Sequence, residues 1–249
     1  MNLAQATPDE LIGSIPLWVD VIATALGAVS GALVAVRHRF DVNGTLLLAV
    51  VCGLGGGLLR DTLIQSGTPV ALTSPWLLPT AIIAGFCIFL FSRTLAAMHE
   101  RLGWIVVTAD AVFLGVYAVV SSAKALSAGL PGASCVLVGV LAGVGGGLIR
   151  DVLVNERPDL LVPGPLYALS AVAGCAIFVI SVRVLHVAGE IGGLSIALVI
   201  AVRLLAYFRN WHTSSPADLL ADTRLLPPRA RARMSELFPI EHDDDGTPP

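Results

Sequence analysis

A run of three glycines followed by an Arg-Asp pair occurs twice in the sequence. The motif reads GLGGGLLRD at 53–61 and GVGGGLIRD at 143–151, ninety residues later. Glycines inside a helix permit a kink, release carbonyls from the helical hydrogen bonds or let a second backbone approach closely. Within an apolar segment, released carbonyls and charged side chains must face protein or a water-filled cavity. The motif predicts two broken helices that meet at a permeation or substrate site. The alternative is close helix packing by small residues.

Charged residues accompany both triplets. Arg60-Asp61 and Arg150-Asp151 either line the two vestibules of a pathway or form salt bridges that hold each repeat together, and both interpretations stay open. Two acids, Asp20 and Asp110, also lie ninety residues apart. They either serve the two mouths of a cation route or match helix N-terminal dipoles.

Two further basic residues and the glycines themselves complete the set of candidates. Lys124 has Val34 as its counterpart ninety residues earlier, so it is a candidate gating residue or, alternatively, an interfacial lysine. Arg203 either snorkels to the membrane interface or braces the helices. The predicted kink and pore positions are the triplets themselves: Gly55, Gly56, Gly57, Gly145, Gly146 and Gly147.

Several classes of function are disfavoured by the same residues. A dinucleotide fingerprint requires glycine where the sequence has Leu58 and Leu148, and it requires a preceding strand. No catalytic triad, paired catalytic carboxylates or HExxH motif is present, so we expect no enzyme and no cofactor. The scattered basic residues predict no nucleic-acid partner. We expect no metal site, because the four cysteines lie in apolar runs as small buried residues: Cys52, Cys87, Cys135 and Cys175.

The elements that position these residues are predicted to be membrane helices. The chain of 249 residues is 55% hydrophobic and 13% charged, whereas a soluble domain carries roughly 25% charged residues. A helix needs about 20 apolar residues to cross the hydrocarbon layer. Seven stretches are apolar enough, at roughly 17–36, 43–65, 75–92, 103–123, 133–155, 165–185 and 191–208. The fold class is therefore an all-α membrane protein of seven transmembrane helices.

The offset of ninety residues divides the chain into two tandem repeats. Each repeat holds three spans, an odd number, so the second copy must enter the membrane from the opposite side, as in many transporters and some channels. The predicted organisation has five parts: an extension at 1–16, the first repeat at 17–93, the second at 103–185, a seventh helix at 191–210 and a mostly disordered tail at 211–249.

Orientation follows from the basic residues of the short loops. Arginines concentrate after spans one, three, five and seven, and this pattern marks the cytoplasmic side. We therefore expect a multi-pass protein of the cell membrane with the N-terminus outside and the C-terminal tail in the cytoplasm.

The doubled GxGGGxxRD motif resembles the bacterial branch of the trimeric intracellular cation (TRIC) channel family. Ser30-Gly31 in span one and the 201–206 segment of span seven share the likeness, which covers about residues 17–210. The repeats also resemble the "glycine transporter" domains of an uncharacterised membrane protein family. The resemblance implies seven helices, a homotrimer in the lipid bilayer, one pore per protomer kinked at the triplets, and passage of monovalent cations, chiefly potassium. It also makes Lys124 a candidate pore or gating residue.

Two other functions remain open from the sequence. A secondary transporter for a small amino acid such as glycine would have one occluded pocket near the midplane. A structural or regulatory membrane protein would use the glycines only for packing.

Overall fold

The computed structural model describes residues 16–211, except for 66, 98, 159, 162–165, 186–188 and 210. The predicted N-terminal extension, apart from Pro16, and the predicted disordered tail beyond Trp211 lie outside the described residues.

The described part of the chain is helical. In chain order its helices are α1 (Leu17–Arg37), α2 (Val42–Ile64), α3 (Val70–Thr73), α4 (Leu77–Leu90), α5 (Ser92–Ala97), α6 (His99–Ser127), α7 (Gly132–Leu153), α8 (Tyr167–Val184) and α9 (Gly189–Phe208). By length and composition, six of these helices can cross a membrane, with α6 contributing its segment from residue 103 and α9 its segment from residue 191. The fourteen-residue α4 is apolar but shorter.

The third apolar stretch forms a shorter helix than predicted. The span predicted at 75–92 contains α4, and a turn at Phe91 separates α4 from α5, which lies almost wholly beyond the stretch. The residues between the third and fourth predicted stretches, 93–102, belong largely to α5 and to the beginning of α6. The other six apolar stretches coincide with helices to within a few residues at most ends.

The turns that separate the long helices recur at the same offset as the sequence motif. Arg39 and Gly129 both adopt positive φ after α1 and α6, and Gln65 and Asn155 do so after α2 and α7. Residues in this left-handed conformation end a helix abruptly. Asp41 then begins α2, because its side chain accepts a hydrogen bond of 2.8 Å from the backbone N–H of Gly44. The local backbone thus repeats together with the sequence.

The helices form two halves that meet at a central crossing. In the first half α1, α2 and α4 pack on one another, and in the second half α6, α7 and α8 do so. The halves contact each other through α2 against α7 and through α1 against α6, while α9 packs on α6 and α8. Large apolar side chains cover much of the outside, among them Leu72, Ile83, Phe91, Leu169 and Leu194. Such a surface suits lipid as the surrounding solvent.

Candidate functional site

The two glycine triplets lie where α2 and α7 cross. A Cβ atom added to Gly56 would lie 2.4 Å from the carbonyl oxygen of Ala142, and one added to Gly146 would lie 2.8 Å from the carbonyl oxygen of Cys52. Real Cβ contacts are essentially never that short. Only glycine therefore lets the two backbones approach this closely.

Both helices continue through their triplets without interruption. The prediction of broken helices with released carbonyls is therefore wrong, and close packing by small residues describes the crossing. The physical reason is that a membrane interior offers no water to replace a broken helical hydrogen bond. Two carbonyls of the crossing also accept side-chain hydrogen bonds: Tyr117 Oη donates to Gly53 over 3.3 Å, and Cys52 Sγ donates to Gly146 over 3.6 Å.

A first charge cluster lies beside one end of this crossing. It consists of Asp20 on α1, Arg60 and Asp61 on α2, and Lys124 on α6. The guanidinium of Arg60 donates from Nη1 to Asp20 over 2.8 Å and from Nε to Asp61 over 2.7 Å. Lys124 Nζ donates to the second carboxylate oxygen of Asp20. Arg60 is 1% exposed, so its charge is held by protein groups rather than by water.

The lysine differs from the arginine in its access to solvent. The side chain of Lys124 is 20% exposed, whereas that of Asp20 is 3% exposed. Asp61 holds the neighbouring loop as well, because its second oxygen accepts the Val70 backbone N–H over 2.9 Å. The first cluster therefore has one buried base and one base that reaches toward the surface.

A second charge cluster repeats this arrangement near the C-terminal end of α7. It consists of Asp110 on α6, Arg150 and Asp151 on α7, and Ser30 on α1. Arg150 Nη1 donates to Asp110 over 2.8 Å, and its Nε donates to Asp151 over 2.9 Å. Ser30 Oγ accepts from Arg150 over 3.0 Å and donates to Asp110 over 3.3 Å. A serine hydroxyl thus stands where the first cluster has the lysine.

Each cluster contains one contribution from the other half of the chain. Lys124 of the second half completes the first cluster, and Ser30 of the first half completes the second. Asp110 and Lys124 are fourteen residues apart on α6, which corresponds to about 21 Å at ~1.5 Å per residue. The two clusters therefore lie at different depths along the bundle.

The pairing of the acids with the arginines was missed by the sequence argument. Asp110 lies three turns into α6 and is 3% exposed, so it does not match a helix N-terminal dipole there. Asp20 does lie in the first turn of α1, but its carboxylate is engaged by two bases. The signal was available, because Asp20 and Arg60 are forty residues apart, as are Asp110 and Arg150.

Arg203 braces the helices rather than snorkelling. It is 2% exposed, and its guanidinium carbon lies 4.4 Å from the ring centroid of Tyr167 on α8. This distance is within the range of a cation–π interaction. Because α9 lies outside the repeat, the first half has no counterpart of this arginine.

The cysteines do not form a ligand set. Cys52, Cys135 and Cys175 are buried and free, whereas Cys87 is exposed, which contradicts its predicted burial. Among the residues that the structure describes, no group of three or more His, Cys, Asp or Glu side chains could hold a metal ion.

The sequence of the chain is similar to those of a family of membrane proteins. The family model described as "Glycine transporter" matches it twice, at residues 17–93 and 107–183. A UPF0126 membrane protein of Deinococcus radiodurans is 34% identical over 196 residues, covering 78% of this chain and 85% of that protein. The UPF0126 inner membrane protein YadS of Escherichia coli (strain K12) is 32% identical over 205 residues, covering 82% of this chain and 96% of that protein.

Comparison with solved structures identifies the fold. A structure that describes conductance through TRIC cation channels matches with a TM-score of 0.70 and 29% sequence identity, covering 81% of this chain and 97% of that one. The solved structures that match are those of channels, not enzymes. The chain therefore belongs to the glycine-transporter family of multi-pass membrane proteins, and its fold is that of the TRIC cation channels.

Proposed function

We propose that this chain is a cation channel of the TRIC type, with potassium as its main permeant ion and one pore through each protomer of a homotrimer. The observation that carries the proposal is the likeness to a TRIC cation channel over 97% of that channel's length. The glycine-transporter description of the family says nothing specific about this site. The buried carboxylates of the described residues lie in two separate clusters, whereas a transporter for glycine predicts one occluded midplane pocket.

The proposed topology has seven spans in two inverted repeats. The third span comprises α4 and α5 together, which cover residues 77–97 with one turn between them. The N-terminus is outside and the C-terminus is in the cytoplasm. This topology places the first charge cluster toward the outer face, because α1 begins there and α2 ends there. The second cluster then lies toward the cytoplasmic face.

The proposed ion route connects the two clusters along the facing sides of α1 and α6. On α1, Asp20 and Ser30 are ten residues apart and belong to different clusters. The glycine triplets form the wall of the route at its centre, where α2 and α7 meet. Asp20 and Asp110 supply acidic oxygens near the two mouths, and Arg60 and Arg150 hold these carboxylates in place.

Lys124 has the features of the group that an entering cation displaces. It contacts Asp20 through a single ammonium group and is partly exposed, whereas Arg60 is buried and bonded to two carboxylates. A channel requires contacts weak enough for an ion to leave. The lysine therefore serves as a mobile counter-charge at the outer mouth, and the arginine serves as a fixed one.

Flux measurement on purified protein in liposomes tests this function. We expect potassium current at a fixed unitary conductance, with the reversal potential following the potassium gradient when the anion is held constant. Labelled glycine should not accumulate, and protein-free liposomes give the background. Saturable glycine uptake without unitary currents would replace the channel by a transporter.

A further inference from the structure

The middle of the proposed route is occupied by two aromatic side chains of α6. Phe113 and Tyr117 follow Asp110 by three and seven residues, and Lys124 comes seven residues after Tyr117. Positions spaced by three, four and seven residues lie on one face of a helix. The same face of α6 thus carries a charge of the second cluster, then two aromatic rings, then a charge of the first cluster.

Both rings are buried where four helices meet. Phe113 and Tyr117 are each 1% exposed, and their ring centroids lie 4.8 Å apart. A Cβ atom added to Gly27 of α1 would lie 2.6 Å from Phe113 Cε2, and one added to Gly57 of α2 would lie 3.0 Å from Tyr117 Oη. A Cβ atom on Gly146 of α7 would lie 3.4 Å from the ring of Phe113. The aromatic pair therefore fills the space enclosed by α1, α2 and α7.

The first half of the chain has no aromatic residues at the matching positions. The residues ninety positions before Phe113 and Tyr117 are Ala23 and Gly27. They lie on α1 and face the aromatic pair, because Ala23 packs in one cluster with both rings. The α1 side of the route therefore has small residues, and the aromatic rings of α6 occupy the space beside them.

Polar side chains of α1 continue past the rings. Thr24 is fully buried between Asp20 and Ser30, and its hydroxyl lies beside the hydroxyl of Tyr117. Its position one turn from Asp20 extends the polar lining from the first cluster as far as the aromatic pair.

We propose that Phe113 and Tyr117 are the constriction that closes the ion route between the two charge clusters. The proposal rests on the channel function proposed above and identifies the part of the route that blocks ions. Apolar rings that exclude water stop ions by dewetting, without any opposing charge. Tyr117 ties this barrier to the glycine crossing, because its hydroxyl donates to the Gly53 carbonyl. Opening then requires the α6 rings to move away from the small residues of α1.

Phe113→Ala is the direct test, with Leu114→Ala as the matched control. Leu114 is equally buried on the same helix, but it packs with Tyr167 and Val199 on the side away from α1. We expect potassium efflux from liposomes to rise about tenfold or more in Phe113→Ala, because the dry segment becomes wide enough for water. Leu114→Ala should stay within about twofold of the unmodified protein because its cavity lies off the route. If Phe113→Ala does not fold, Phe113→Leu should show a smaller increase.

Thiol labelling supplies a readout that does not depend on ion conduction. Cys52 is buried, and its sulfur donates to the Gly146 carbonyl beside Phe113. With the other three cysteines replaced by serine or alanine, a small water-soluble methanethiosulfonate should modify Cys52 slowly in the parent and in Leu114→Ala. It should react much faster in Phe113→Ala.

The two readouts separate the constriction from the channel function. Conduction by the parent, with neither readout changed in Phe113→Ala, overturns the constriction and leaves the channel. Faster Cys52 labelling without current in any protein supports an aromatic barrier to water and overturns the ion-channel function. Absence of both current and faster labelling overturns both ideas.

Discussion

At the scale of single residues, the two arginines that follow the glycine triplets hold the charge clusters together. Arg60 and Arg150 each bind the acid that follows them in sequence and an acid forty residues earlier. The pairs formed by residues forty positions apart link adjacent helices of the same half. An isolated charge in this environment would be very costly, so each arginine stabilises the carboxylates that it neutralises.

Removing one of these arginines should therefore destabilise the protein strongly. We expect Arg60→Met to lower the free energy of unfolding by about 3–5 kcal/mol, because Asp61 loses its arginine and Asp20 keeps only Lys124. Chemical denaturation in detergent micelles measures the change. Arg157→Met, at an exposed loop position, is the control and should stay within about 0.5 kcal/mol. Adding Asp20→Asn to Arg60→Met should recover part of the loss.

Lys124 should matter for conduction more than for folding. Lys124→Met removes a partly exposed positive charge beside Asp20, so we expect cation current to increase severalfold while the unfolding midpoint changes little. Lys124→Arg keeps the charge and should behave like the parent protein. Single-channel recording of the three proteins in the same bilayer gives the comparison. A Lys124→Met current equal to that of the parent argues against a role for the lysine at the mouth.

At the scale of secondary-structure elements, the glycine triplets determine how α2 and α7 pack. Their six glycines do not contribute equally. Gly56 and Gly146 each face a carbonyl oxygen of the opposite helix at a distance that no side chain tolerates, whereas a Cβ atom on Gly55 would meet its neighbours at 3.7 Å. The crossing therefore depends on particular positions of the triplet rather than on its general flexibility.

Alanine substitutions should reveal this difference. We expect Gly56→Ala to destabilise the protein by about 1–3 kcal/mol, because the added methyl group forces the two backbones apart. Gly55→Ala should be neutral or stabilising by up to about 1 kcal/mol, since alanine has the higher helix propensity and the space is sufficient. Thermal unfolding of both variants in one detergent measures the change. Equal losses in both would mean that helix flexibility, not close approach, is what the glycines provide.

Helix positions could be predicted from the sequence because the membrane imposes a simple rule on them. An apolar stretch long enough to span lipid forms a helix, and this rule places α1 and α2 to within about one residue. The rule does not foresee that the third stretch forms only the short helix α4, which a turn at Phe91 separates from α5. At the triplets the rule holds, because both helices continue through the glycines. The expected break there came from the helix propensity of glycine in water, which is a poor guide to its behaviour in lipid.

The candidate site could be predicted only as a set of residues, not as a geometry. Offset and charge singled out Asp20, Arg60 and Lys124, which the structure brings into one cluster. Their mutual contacts depend on how three helices from both halves pack, and no local pattern encodes that packing. The aromatic pair was missed for a related reason, because Phe113 and Tyr117 look like ordinary apolar membrane residues until their small counterparts on α1 are placed opposite them.

At the scale of the whole molecule, the distribution of charged loop residues predicts the orientation of the protein in the membrane. The loop between α1 and α2 contains His38 and Arg39, and His38 lies 3.2 Å from Glu156 in the loop after α7. These two loops must therefore share one face. Arg157 lies next to Glu156, so basic residues of both halves gather there, as expected for the cytoplasmic side.

Site-directed labelling checks this direction with one position on each face. Asn43 at the start of α2 and Ala128 at the end of α6 are both exposed, and replacing each by cysteine leaves the charge clusters untouched. In a background with the exposed Cys87 replaced, a membrane-impermeant maleimide should label Ala128→Cys in intact cells. It should label Asn43→Cys only after the membrane is permeabilised. The opposite pattern would reverse the predicted orientation and would assign the lysine-containing cluster to the cytoplasmic mouth, so the side on which Lys124 meets entering cations depends on this result.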